Sequence, residues 1–170
     1  MPKMVVVNTE RCLGCKSCML ACALAHAEAR SLVEAVTTGT PLEPRIHVEP
    51  GGRFGIPLHC QHCEDAPCVA VCPTEALRRA APGAPVLLEA ERCIGCRYCL
   101  VACPFGVIGL SRTGKASIKC DLCVERTKAG EEPACVAACP TGALVFCEVE
   151  AWLRERRLRA AERVAAAEVT

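Results

Sequence analysis

The sequence predicts a small α+β fold in which short strands, hairpins and brief helices are arranged twice over around cysteine-bearing loops, closed by one long charged helix. Three observations predict it. Seventeen of the 170 residues are cysteine, and all but one fall into four groups of four, each opened by a Cys-x2-Cys pair. Whole segments recur: Glu10-Arg11-Cys12-Leu13-Gly14-Cys15 returns as Glu91-Arg92-Cys93-Ile94-Gly95-Cys96, and Cys72-Pro73-Thr74-Glu75-Ala76-Leu77 returns as Cys139-Pro140-Thr141-Gly142-Ala143-Leu144. The apolar runs between the groups are strand-sized and bounded by Gly and Pro.

Met4–Val7 is an unbroken apolar run and predicts a short buried strand entering the first cysteine group. That group is Cys12, Cys15, Cys18 and Cys22, followed by Ala23. Ala23–Val36 is alanine-rich with Glu28, Arg30 and Glu34, and predicts a helix; Thr37–Pro44 is a loop. Arg45–Glu49 alternates, Pro50-Gly51-Gly52 turns and Arg53–Leu58 returns, which predicts a hairpin. The second group is Cys60, Cys63, Cys68 and Cys72 with Pro73 after it, widened through Glu64-Asp65-Ala66-Pro67. Pro73–Ala80 predicts a short helix, Ala81–Pro85 a loop and Val86–Leu88 a strand. The third group is Cys93, Cys96, Cys99 and Cys103. Val107–Leu110 and Ser117–Lys119 predict a hairpin with Arg112-Thr113-Gly114-Lys115 at its tip. The fourth group is Cys120, Cys123, Cys135 and Cys139 with Pro140 after it, spread by the charged stretch Val124–Ala134. Ala143–Cys147 predicts a strand and Ala151–Ala167 a charged terminal helix. The expected division is one domain over 1–150, with repeats at about 5–80 and 86–147, and a charged helix or tail over 151–170.

The third group shows its chemistry most openly. Cys93-Ile94-Gly95-Cys96-Arg97-Tyr98-Cys99-Leu100-Val101-Ala102-Cys103-Pro104 has the bacterial ferredoxin spacing for a [4Fe–4S] cluster. Close spacing lets one loop place three thiolates around a cube. The fourth cysteine points away, and in two-cluster ferredoxins it ligates the other cluster. The proline behind it has no N–H and fixes the chain's exit. The expected fold is therefore a duplicated bacterial-type two-cluster ferredoxin, holding four [4Fe–4S] clusters through sixteen iron-binding cysteines. Zinc is the rival, since it takes four thiolates. It is usually served by two Cys-x-x-Cys pairs, not by three close cysteines plus a Cys-Pro. A disulfide scaffold fits poorly, because the cysteines are too crowded locally. Met1–Asn8 is too short and too soon polar for a secretory signal, so a cytoplasmic setting is expected. Cys147 is left over in the apolar run Leu144-Val145-Phe146 and reads as a small buried hydrophobe.

With cysteines counted as neutral, the formal charge is +1. Sixteen thiolates on four oxidised cubes bring it to about −7. Such a polyanion argues against nucleic acid and for a basic docking surface on a protein partner. No Gly-rich nucleotide loop, Ser/His/Asp set or carboxylate constellation is present, so no catalytic site of its own is expected. No apolar run approaches a membrane span. Four clusters in so short a chain cannot lie far apart, and electron tunnelling decays steeply with distance. A row of them reads as a relay for single electrons. Redox sensing is an alternative from another class, but no DNA-binding motif is present and four clusters exceed what a sensor needs. Structural scaffolding with inert clusters is a third.

The four groups resemble those of the four-cluster ferredoxin-like electron-transfer subunits found with dimethyl sulfoxide reductase, formate dehydrogenase and formate hydrogenlyase, and in carbon monoxide dehydrogenase and tungsten aldehyde oxidoreductase systems. The resemblance spans Val5 to Cys147, and the long step in the fourth group is its most specific part. It implies mixed pairing, which the residues alone leave open. Cluster one then takes Cys12, Cys15, Cys18 and Cys139, and cluster two takes Cys22, Cys120, Cys123 and Cys135. Cluster three takes Cys60, Cys63, Cys68 and Cys103, and cluster four takes Cys72, Cys93, Cys96 and Cys99.

Around these ligands, Gly14 and Gly95 let backbone N–H groups approach sulfur. Lys16, Arg97 and Lys119 read equally as tuning charges and as solvated ones. His59 and His62 read as surface residues near cluster three, and Tyr98 and Phe105 as shields against water.

The resemblance also implies a soluble oxidoreductase complex. The preferred setting is a tungsten/molybdenum-pterin aldehyde oxidoreductase with a flavin/NAD subunit. The alternative is a carrier between carbon monoxide dehydrogenase or formate dehydrogenase and a hydrogenase. End-to-end self-association and a docking arm in Ala151–Ala167 complete the expectations.

Overall fold

The computed structural model describes residues 3–112, 114 and 117–167. Strand β1 (Lys3–Val7) pairs antiparallel with β8 (Leu144–Glu148), Val5 standing opposite Phe146. The segment before the first cysteine group and the segment after the fourth are thereby sewn together. Between them lie the hairpin β2 (Ile46–Gly51) and β3 (Phe54–His59), the pair β4 (Leu77–Arg79) and β5 (Val86–Leu88), and the two-residue pair β6 (Gly109–Leu110) and β7 (Ser117–Ile118). Each of the four sheets has two antiparallel strands. The helices are α1 (Ser17–Ala25), α2 (Leu32–Thr38), α3 (Pro67–Ala70), α4 (Tyr98–Ala102), α5 (Val124–Lys128), α6 (Ala134–Ala137) and α7 (Val149–Ala167).

Two apolar cores form. Val5, Ile46, Val48, Leu122, Val136 and Leu144 gather with Cys18, Cys22 and Cys135, so the first and last parts of the chain share one core. Leu77, Val86 and Ile108 gather with Cys68 and Cys99 in the other. Cysteine sulfur occupies positions that aromatic rings would fill in a domain richer than 3% in them.

The elements expected at Met4–Val7, the 45–58 hairpin, Val86–Leu88, Ala143–Cys147 and the terminal helix are all present, with ends shifted by a residue or two. Three expectations change. The helix expected over Ala23–Val36 is two helices. His26 turns out of α1, its Nδ1 donating to the Cys22 carbonyl at 2.8 Å and its Nε2 reaching Asp121 at 3.0 Å. Ser31 restarts the chain as an N-cap, accepting from the Glu34 N–H, while the Glu34 carboxylate accepts from the Arg30 N–H. The helix expected over Pro73–Ala80 is a turn followed by β4. Glu75 sits at φ 53° in the left-handed region, and the Arg79 guanidinium ties the strand to the carbonyls of His62, Cys63 and Ala84. The hairpin expected over Val107–Lys119 pairs only through β6 and β7; Thr113 and Lys115 of its expected tip lie outside the described residues.

One close approach positions the first cysteine loop. A Cβ at Gly55 in β3 would stand 2.8 Å from the Gly14 Cα, 3.1 Å from its N and 3.1 Å from Val48 Cγ1. Two of these neighbours are backbone and cannot swing aside. Gly55→Ala is therefore expected to cost about 1–3 kcal/mol, read as a lower midpoint of thermal unfolding with the metal loaded.

Candidate metal centres

The first group opens on the turn Thr9–Arg11 and the third on Ala90–Arg92, each followed by a glycine at positive φ, 67° at Gly14 and 71° at Gly95. Lys16 and Arg97 are left-handed as well, at φ 61° and 68°, and start α1 and α4. The loop thus curls around its own first two cysteines and delivers the third on a helix. Cys12, Cys15 and Cys18 line one small pocket together with Cys139 from beyond α6, walled by Leu13, Val48 and Leu144. Cys93, Cys96 and Cys99 line another with Cys72, against Leu77 and Leu88. Cys60, Cys63 and Cys68 line a third with Cys103, against Val107 and Ile108. Cys22, Cys120 and Cys135 pack into the first core. Burial raises the Cys135 thiol, and Cys120, Cys22 and Cys123 raise it further, as does Cys18 of the neighbouring quartet. Each of the three pockets therefore combines three cysteines of one sequence group with one of another.

The donor arrangement discriminates between metals. Four thiolates around one zinc at about 2.3 Å stand about 3.8 Å apart. Among the described residues, the trio His26, Asp121 and Cys123 brings its ligand atoms within 4.8 Å of one another, and no cysteine quartet closes that far. Four soft thiolate donors facing a shared pocket suit an iron–sulfur cluster.

Sulfur receives hydrogen bonds from the chain. The N–H groups of Arg45, His62 and Leu122 donate to Cys22, Cys60 and Cys120 at 3.3–3.4 Å. The repeated Cys-Pro-Thr segment does this twice over. Burial opposes ionisation of Cys139, but N–H groups from Thr141, Ala143 and Leu144 and the Thr141 hydroxyl hold its thiol below the usual value. Thr74, Ala76 and Leu77 do the same for Cys72. Interior positions behave oppositely: burial pushes Cys18 up to about 11 and Cys120 up to about 12. A metal centre bound there would take the thiolate form, so loading would release protons.

Beside the second quartet lies an ion cluster. Asp121 Oδ2 accepts from Arg45 Nη1 at 2.6 Å, while Oδ1 accepts from His26 Nε2 at 3.0 Å and from the Cys123 N–H at 2.9 Å. Burial alone would lower the His26 pKa, but its bonds to Asp121 and Cys22 hold it up at about 12. Both ring nitrogens face acceptors, which only the imidazolium satisfies. The cluster was not legible beforehand, because Asp121 and His26 are far apart in sequence.

Several expectations near the cysteines are corrected. His59 is buried, at 3% exposure, and His62 is half-buried; neither is a surface residue. Each keeps a buried Nε2 with no partner among the described residues. Lys16 and Arg97 are exposed, whereas Lys119 is buried. Phe105 lines the third pocket, but Tyr98 stands mostly in solvent. Cys147 is half-buried in β8 opposite Met4. No helix among the described residues is long and apolar enough to cross a membrane.

Comparison with known proteins agrees with the geometry. The model of a 4Fe-4S dicluster domain matches residues 53–149, and that of a 4Fe-4S binding domain matches residues 9–25. The chain is 39% identical to an iron-sulfur protein of Rhodospirillum rubrum, over 91% of this chain and 88% of that one. It is 38% identical to the electron transport protein HydN of Escherichia coli (strain K12), over 95% and 98%. It is 36% identical to the thiosulfate reductase electron transfer subunit PhsB of Salmonella typhi, over 89% and 81%.

Proposed function

The chain belongs to the ferredoxin-like family of 4Fe-4S electron-transfer proteins, and from that premise we propose that it is a four-cluster relay subunit of a multisubunit oxidoreductase. The observation that supports the reading is that three cysteine-lined pockets each combine three cysteines of one sequence group with one of another, while Cys22 and Cys135 share the first core. Cluster one is held by Cys12, Cys15, Cys18 and Cys139, and cluster two by Cys22, Cys120, Cys123 and Cys135. Cluster three is held by Cys60, Cys63, Cys68 and Cys103, and cluster four by Cys72, Cys93, Cys96 and Cys99. A [4Fe–4S] cluster supplies reversible one-electron redox chemistry.

The polypeptide's part is to hold, insulate and space. Leu77, Val86 and Leu144 keep water from the sulfur, and backbone N–H groups lean on the thiolates. Neighbouring quartets share interactions: Cys135 with Cys18 joins the second to the first, and Cys120 with Cys60 joins the second to the third. Helices α3 and α4 carry cysteines of both the third and fourth into one core. The order along the row is therefore one, two, three, four. The crosswise assembly is that of a duplicated two-cluster ferredoxin over 1–150, with 151–170 as an appended arm.

The partner proposed is a tungsten/molybdenum-pterin aldehyde oxidoreductase with a flavin/NAD subunit, in the cytoplasm. α7 has no buried residue and carries Arg154, Arg156, Arg157, Arg159 and Arg163, and it serves as the docking arm. Anaerobic co-purification tests both points. The full chain is expected to co-elute with a catalytic subunit containing tungsten or molybdenum. A chain lacking residues 151–170 should keep its iron and lose that subunit. A nickel-containing partner would replace the setting with a carbon monoxide dehydrogenase. Iron lost on truncation would contradict the docking role.

A further inference from the structure

Lys119 is 3% exposed and lies directly before Cys120. Its Nζ donates to the Val86 carbonyl and, at 2.8 Å, to the Cys120 carbonyl. Among the described residues it has no carboxylate partner. Asp121, the nearest acid in sequence, is occupied by Arg45 and His26. An ammonium removed from water without a counter-ion is strongly disfavoured. The two carbonyls place it between the middle sites: Val86 lines the pocket of Cys60, Cys63, Cys68 and Cys103, and Cys120 belongs to the second quartet. The second cation nearby, Arg79, has its guanidinium engaged by three carbonyls. His62 adds no charge, because its Nδ1 accepts the Val86 N–H.

We infer that Lys119 is the internal counter-ion of the two middle cluster sites, and that its charge raises their reduction potentials so that electrons cross the centre of the row. The inference rests on the four-cluster reading. A fixed positive charge stabilises whichever state of the site carries more negative charge, and reduction adds one. In a poorly solvated position this bias is not screened away by salt. Lys16 and Arg97, which start the helices of the outer sites, stand in water.

The test is potentiometric titration of the anaerobically prepared full chain, followed by electron paramagnetic resonance. In K119M, two of the four clusters should titrate at lower potential. At the potential that half-reduces them in the parent, their reduced-to-oxidised ratio should fall roughly tenfold. The other two clusters should not move, and K119R should keep the parent values. Unchanged potentials in a fully loaded K119M would overturn the inference, as would a fall in K119R equal to that in K119M. Should K119M fail to load, K119Q, which keeps an N–H donor without the charge, gives the same reading. Iron lost from both neutral variants would make Lys119 a folding element and also overturn it. A parent chain that binds no iron would instead sink the cluster reading, before any variant is compared.

Discussion

Replacing Cys139 with alanine is expected to remove about a quarter of the chain's iron, one [4Fe–4S] cluster in four. The cluster lost is the one that depends on the first loop. Cys139 follows Cys135 closely in sequence, yet it lines the pocket of Cys12, Cys15 and Cys18, whose lining does not include Cys135. Double substitution makes the claim quantitative. If Cys12 and Cys139 serve one site, losing both should cost no more iron than losing Cys139 alone, the non-additivity of groups acting as a unit. Losing Cys120 and Cys139 together should cost about half the iron, because two sites are broken. Were each sequence group to hold its own cluster, the two pairs would behave the other way round. Iron and acid-labile sulfide per chain, measured on anaerobic preparations, decide between the two.

The second large effect is expected at Asp121. Its carboxylate meets Arg45, the His26 imidazolium and the Cys123 N–H at once, in a site less than one-third exposed. Burial opposes its ionisation, but the His26 hydrogen bond and the Arg45 charge hold it well below the usual carboxylate range. Asp121→Ala would leave two cations facing each other and an N–H of the Cys120–Cys123 loop without its acceptor. Breaking a buried pair from one side costs about 3–5 kcal/mol, and partial exposure reduces this to about 2–4 kcal/mol. Asp121→Asn, which keeps acceptor geometry without the charge, should fall between the parent and Asp121→Ala. Loss of visible cluster absorbance on heating is the readout. Equal stability of all three proteins would show that the ion cluster contributes nothing.

The four cysteine groups were legible because thiolate spacing is a local property, whereas their mixed pairing came only from the family resemblance. A loop that wraps a cube needs its first three ligands close together in sequence, and the repeats at Cys12 and Cys93, and at Cys72 and Cys139, announce themselves. The strands that pair across the chain's ends and the charged terminal helix were equally plain from their patterns. What escaped was decided elsewhere in the molecule. α1 stops at Ala25 because His26 turns to meet Asp121, 95 residues away. Leu77–Arg79 is a strand because Arg79 finds the carbonyls of His62 and Cys63. Gly55 looked like an ordinary hairpin residue until Gly14 was seen against it. Lys119 carried no sign of burial, since the carbonyls it satisfies become neighbours only when β5 closes over the Cys120 loop.

Anomalous diffraction at the iron edge, from anaerobically grown crystals of the full chain, tests the central claim most directly. Four separate iron cubes are predicted, each bound by three cysteines of one loop and one from another, with Cys139 beside Cys12 and Cys22 beside Cys120. A cube gripped by all four cysteines of a single sequence group, or fewer than four cubes in a fully loaded chain, would contradict it.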